Sequence, residues 1–239
     1  MQQRINQKTQ YLMGMRAGIP VLFGFIPVGI AYAIMAQQAG FSPAETVFMS
    51  LAVFAGASQM MAAGMYAQGA GLVAIILATF ILNLRHLIMS ACVVNKMRGS
   101  RLLLRLLAAF GVTDESFAIF TTLPQSQAGV MYFLGLITVT YSSWVGGSAI
   151  GAVASGFLPP LLSASLGIAL YAMFIALLLP KVRGNFRLGL LVILTAVCNT
   201  LLCQVLSSSW ALILSTLLGA LAGVFLVEDE NEREAPDHE

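Results

Sequence analysis

The sequence predicts an all-α, polytopic bundle of membrane-spanning helices. Three observations carry that prediction. Of 239 residues, 59% are hydrophobic and only 9% charged, against about 25% charged in a soluble domain. The mean hydropathy is +0.88. The apolar residues also fall into about eight long runs, each near the roughly 20 residues that a helix needs to cross a bilayer.

Those runs lie near 17–37, 44–67, 71–95, 106–124, 129–152, 157–180, 188–206 and 209–227. The links between them are short, so one transmembrane domain over 1–227 is expected, closed by a disordered acidic tail at 228–239, EDENEREAPDHE. Pro43, Pro124, Pro159, Pro160 and Pro180 fall at or near run boundaries, where a missing N–H does least damage. Pro20 and Pro27 lie inside the first run and are expected to bend it. That run exceeds the apolar core of a signal peptide, roughly 7–15 residues, and reads as a retained first helix. Cys92, Cys198 and Cys203 show neither metal-ligand spacing nor a disulfide framework and read as small packing residues. No metal, cofactor or nucleic acid is expected.

The cations are segregated: Arg4, Lys8 and Arg16; then Lys96, Arg98, Arg101 and Arg105; then Lys181, Arg183 and Arg187. The positive-inside rule would put all three groups in the cytoplasm. Three apolar runs separate the first group from the second, and three more separate the second from the third. An odd number of crossings cannot bring a chain back to one side. Either one run in each trio fails to cross, or one basic group lies outside. Two runs are interrupted by small or polar residues, at FAGASQMMAAG (54–64) and FGVTDESFAIF (110–120). Broken or re-entrant helices at corresponding places point to a transporter's substrate site and to an internal inverted repeat, although residue similarity between the trios is too weak to establish one.

The sharpest feature is ILNLRHLIMS (81–90), an arginine and a histidine midway along an oily run. Ions at that depth are costly and mark functional sites. At about 100° per residue, Thr79, Asn83, His86 and Ser90 share one stripe roughly 60° wide, whereas Arg85 points about 160° away from Asn83 and needs another partner. The bland alternative is that Arg85 ends a shorter span and LIMSACVV does not continue the helix. In TDES, Thr113 or Asp114 is a natural N-cap, and an ordinary capped helix after a basic loop is the plain reading. Asp114 and Glu115 are, however, the only acids between Glu45 and the tail, which makes them the chief candidates for the counter-charge that a buried Arg85 would need. In GASQ, Gly56 is expected to break the helix and Ser58 to cap its continuation, leaving N–H groups suited to a carboxylate; small-residue packing is the alternative. GMRAG (14–18), GSAIG (147–151) and GALAG (219–223) read as close-packing faces, by default within the chain.

Taken together, GFIPVGIAYAI (24–34), FSPAETVFMS (41–50), FAGASQM (54–60), NLRH (83–86), FGVTDESFA (110–118) and SSWVGGSAIGA (142–152) resemble the AzlC family of bacterial branched-chain amino acid permeases. The resemblance implies efflux of valine, leucine and isoleucine, often with methionine, across the bacterial cytoplasmic membrane. It also implies a separately encoded small membrane subunit of the AzlD type. Family members carry Asn or Asp before LRH, so Asn83 argues against an obligatory carboxylate there.

A zwitterionic substrate needs a cation or helix N-terminus for its carboxylate, an anion for its ammonium, and an oily pocket. Gly56, Ser58, Gln59, Asn83, Arg85, Asp114 and Glu115 are therefore the expected substrate-binding residues, and His86, Asp114 and Glu115 the expected proton-coupling ones, giving proton antiport. Rival readings are an uncoupled channel or facilitator, a purely structural membrane subunit, and an intramembrane hydrolase pairing Ser58 with His86 as nucleophile and base.

Overall fold

In the computed structural model, described over residues 6–97, 100–124, 128–157, 175, 178–179 and 182–226, helices alternate with short links and no strand occurs among the described residues. The helices are α1 (Gln7–Gln38), α2 (Pro43–Ala52), α3 (Gly56–Ala67), α4 (Leu72–Lys96), α5 (Leu102–Phe110), α6 (Asp114–Thr121), α7 (Val130–Ala154), α8 (Phe186–Leu202) and α9 (Ser208–Leu226). Among them α1, α4 and α7 are long and apolar enough to cross a membrane, and α8 and α9 are shorter apolar helices. Nearly all of the expected run at 157–180, with Pro159, Pro160 and Pro180, lies outside the described residues, as do Arg4, Arg98, Lys181 and the acidic tail.

The described residues form two units by contact, one drawn from 1–69 and 82–170, the other from 70–81 and 171–239. In the second, α8 and α9 pack antiparallel. Gly219 of the GALAG stretch faces Thr195, Gly223 faces Leu191, and the Ser215 hydroxyl donates to Asn199 Oδ1 at 3.3 Å.

The first unit is built on α1 and α7, which run parallel. Gly14 abuts the Tyr132 carbonyl and Gly135 abuts that of Tyr11; further along, Gly147 and Gly151 meet Ile26 and Ile30. A Cβ on Gly14 or Gly135 would sit about 2 Å from a carbonyl oxygen, so only glycine lets the backbones approach this closely. The GMRAG and GSAIG faces are thus both used within the chain. α1 begins at Gln7, ten residues before its apolar run, capped by Asn6, and continues through Pro20 and Pro27.

Both interrupted runs are pairs of short helices folded back on themselves. Phe41 precedes α2 and Tyr66 lies in the last turn of α3, yet their rings are 5.0 Å apart; a continuous helix over that stretch would separate them by about 38 Å. In the second pair, Lys96 at the end of α4 donates to the Phe120, Thr121 and Leu123 carbonyls at 3.3, 2.6 and 2.7 Å. α6 therefore returns to the end of α4, beside which α5 starts. The first break spans Val53–Ala55 and the second Gly111–Thr113. Each is bounded by a glycine pressed on α7, Gly56 on Trp144 and Gly111 on Ile137.

Along α7 the pairs enter from opposite ends. Phe120 meets Tyr132 and Phe133 at one end, and Ser50 lies 2.7 Å from Ser148 toward the other. The order of long helix then folded-back pair occurs twice, as α1–α2–α3 and as α4–α5–α6. Within this unit residues 82–96 of α4 run opposite to α1 and α7, from Ser58 at the first pair to Phe120 at the base of the second. Both interrupted runs fold back within this unit, the arrangement that the first alternative requires, and residues 8–16 sit at the same end of the unit as Lys96. Part of the basic stretch 96–105 is helical, since α5 begins at Leu102 and carries Arg105, whose Nε is buried with no hydrogen-bond partner among the described residues.

Candidate functional site

Three sequence segments meet where the two pairs break. α4 supplies Asn83, Arg85 and His86; it continues unbroken to Lys96, so Arg85 lies in mid-helix rather than ending a shorter span. Arg85 Nη1 lies 3.0 Å from Asp114 Oδ2, and the side chains are 41% and 44% exposed. Two residues earlier and on another face of α4, Asn83 Oδ1 accepts a short hydrogen bond from the Ser58 hydroxyl. One stretch of α4 thus joins the first turn of α3 to the first turn of α6.

Local sequence explains the start of α6. Thr113 is the N-cap of α6; its hydroxyl accepts from the Ser116 N–H at 3.3 Å, and the Ser116 hydroxyl accepts from the Thr113 N–H at 2.8 Å. This closed box leaves Asp114 and Glu115 as the first two helical residues, where the dipole favours acids. Thr113 and Ser116 are buried while both acids are half-buried. Of the two acids, Asp114 is the one that pairs with Arg85.

α3 starts differently. Ala55 is its N-cap and no side chain caps it. The expectation that Gly56 forms the break and Ser58 the cap is corrected here. The break precedes Gly56, and Ser58 lies inside the first turn, with its hydroxyl reaching across to Asn83. Gly56 has no Cβ because one would stand 2.6 Å from Trp144 Cη2.

Gln59 is 2% exposed and its amide is used at both ends. Nε2 donates to Ser50 Oγ at 3.2 Å, and Oε1 accepts from Trp144 Nε1 at 3.0 Å. Ser148 Oγ lies against Ser50 and donates to the Trp144 carbonyl at 2.9 Å, while Trp144 stacks on Tyr32 at 5.8 Å. This closed network holds α3 to α2 and α7, and it sets Gln59 apart from the half-open Arg85–Asp114 pair. Of the expected polar stripe, Thr79 bonds back to the Ile75 and Ile76 carbonyls of its own helix and Ser90 reaches the Ala109 carbonyl at 3.4 Å. The serine–histidine pair is not formed, since Ser58 donates to Asn83.

Trp144, Ser50, Ser148, Lys96 and Tyr141 escaped sequence reasoning as site-forming residues. Trp144 had a usable signal, an indole N–H in an apolar run that must find an acceptor. Among the described residues no cluster of His, Cys, Asp and Glu suits a metal ion.

The family described as AzlC protein matches residues 20–158. An Escherichia coli (strain K12) protein named inner membrane protein YgaZ is 33% identical over 226 residues, 90% of this chain and 82% of its own length. An uncharacterized membrane protein of Archaeoglobus fulgidus is 33% identical over 183 residues, covering 76% and 80%. A Bacillus subtilis (strain 168) protein named branched-chain amino acid transport protein AzlC is 32% identical over 157 residues, covering 62% and 61%. No solved structure matches. The matched family region contains both folded-back pairs, α4 and the α7 face that holds them.

Proposed function

Because this chain, a multi-pass membrane protein, belongs to the AzlC family, we propose that it exports branched-chain amino acids, valine, leucine and isoleucine, with methionine as a further substrate. Export runs by proton antiport across the bacterial cytoplasmic membrane, with a small AzlD-type membrane subunit as partner. The relative named as a branched-chain amino acid transport protein supports the substrate class. The half-exposed Arg85–Asp114 pair between two opposed helix breaks is the observation that carries the mechanism.

An α-amino acid zwitterion has the same charges as that pair in reverse. Its carboxylate takes Arg85 and the uncapped first turn of α3, at Gly56 and Ser58, and its ammonium takes Asp114. Substrate binding therefore replaces one ion pair by two. Ser58 of the first pair and Asn83 of α4 border the site, and Gln59 supports it through Trp144. His86, Asp114 and Glu115 carry the exchanged proton: each can hold or release one on or next to the Arg85–Asp114 pair that substrate displaces. The basic stretches 8–16 and 96–105 set their shared end in the cytoplasm. The α5–α6 pair then faces the cytoplasm, and the α2–α3 pair the outside.

The test is intracellular valine, leucine, isoleucine and methionine during dipeptide feeding, in cells lacking the chain and complemented with it, with and without the small-subunit gene. Complementation should lower accumulation, and Asp114→Asn or Glu115→Gln should abolish this or shift its pH dependence. If both substitutions leave efflux and its pH profile intact, the assignment is wrong. In proteoliposomes, flux against a gradient driven by an imposed pH difference separates antiport from passive conduction.

A further inference from the structure

We propose that Tyr141 is a positioning residue that couples the two folded-back pairs, so that one tip stays docked on α7 while the other leaves. This deepens the transport reading above and rests on it for its functional consequence, though not for its physical test. Tyr141 lies on α7 where the two breaks meet. Its hydroxyl donates to the Leu51 carbonyl at 2.7 Å. Leu51 is in the last turn of α2, whose carbonyls have no partner within the helix. The ring also meets Phe54, in the first break, edge-on at 5.3 Å and 89°. On the other side it meets Phe110, the last residue of α5, at 5.9 Å and 65°.

One side chain therefore serves both tips, by a hydrogen bond and a ring contact to the first and a ring contact to the second. Trp144, one turn on and on the same face, holds only the first tip, through Gly56 and Gln59. Ile137, one turn back, holds only the second, through Gly111. Tyr141 is the residue between them. Withdrawing both tips at once would strip the Leu51 carbonyl of its donor and the ring of both neighbours. Withdrawing one leaves the ring packed on the other. That asymmetry favours alternate opening, which an exporter needs to avoid a continuous leak.

The experiment uses the full chain in proteoliposomes with Cys92, Cys198 and Cys203, which are free thiols, replaced by serine. The reporter is Val112→Cys in the second tip; Val112 is buried, so a thiol there reacts with a maleimide only when that tip opens. Labelling rates are compared in a double-mutant cycle of Phe54→Ala and Tyr141→Ala. Phe54→Ala should change the rate at least about threefold with Tyr141 in place, and leave it nearly unchanged in Tyr141→Ala. An equal change in both backgrounds overturns the proposal. Should Tyr141→Ala not fold, Tyr141→Leu replaces it in the same cycle with the same criterion. Tyr141→Phe, which keeps both rings in contact and loses only the hydrogen bond, should lower maximal valine efflux while leaving half-saturation within about twofold; a raised half-saturation with unchanged maximum overturns the coupling role. Labelling does not depend on the substrate, so failure of the amino acid reading and failure of the coupling are seen separately.

Discussion

The ammonium of Lys96 lies 2.6 Å from the Thr121 carbonyl oxygen and 5.9 Å from the centre of the Phe120 ring. Lys96 ends α4 and Thr121 ends α6, so this contact closes the base of the second folded-back pair. It also sets a cation at the carbonyl end of a helix whose other end carries Asp114 and Glu115, the favourable sense for the helix dipole.

Replacing Lys96 by methionine keeps the stem and removes the charge. Charge-assisted hydrogen bonds are worth about 1.5–3 kcal/mol, so Lys96→Met should lower thermal stability in detergent by about 2 kcal/mol, with Lys96→Arg recovering part of it. Unchanged melting of Lys96→Met would show that the carbonyl end of α6 is held by something else.

Gln59 should tolerate neither a shorter nor an apolar side chain. Gln59→Leu leaves the Trp144 N–H without its acceptor, a cost of about 1–3 kcal/mol. It should also alter the fluorescence of Trp144, read in a Trp210→Phe background. A Gln59→Leu protein with native melting and emission would mean the network is not what holds α3 on α7.

At the parallel seam of α1 and α7, Gly14→Ala should be among the most damaging small substitutions. Its Cβ would stand 1.9 Å from the Tyr132 carbonyl oxygen, and overpacking of this kind costs about 1–3 kcal/mol or more. Gly146, on the same helix as Gly135 but with open space around it, is the control, and Gly146→Ala should be neutral. The measurement is folded yield and melting temperature of the two variants side by side.

Side-specific labelling checks the folded-back geometry. Gln38 and Gln68, both exposed, flank the α2–α3 pair, and single cysteines at these positions should react with an impermeant maleimide from the same side of the membrane. A cysteine at Ser100, beside the second pair, should react from the other side. Labelling of Gln38→Cys and Gln68→Cys from opposite faces would mean that the first pair crosses.

The Arg85–Asp114 pairing was legible because charge in an apolar run is scarce: a cation at depth and only two acids between Glu45 and the tail leave few ways to compensate. The Thr113 cap was legible from TDES, although Asp114 competed for the role. The start of α3 was misplaced because Gly56 looks like a breaker in isolation, whereas the chain is already extended at Val53 and glycine is needed for contact with Trp144. That the Gln59 amide bonds to Ser50 and Trp144 is not legible locally, because both partners lie on other helices.

Composition and run length by themselves determined that this chain is a helical membrane protein, and residue scarcity determined which charges must compensate each other. Whether an interrupted run crosses or turns back was decided only by tertiary contacts. A helix and two half-helices of the same total length have the same hydropathy, so the difference lies in partners far along the chain, such as Tyr66 against Phe41 and Lys96 against Thr121. The same reason hid Tyr141: an aromatic in an oily segment resembles any packing residue until the two breaks are brought to its opposite edges.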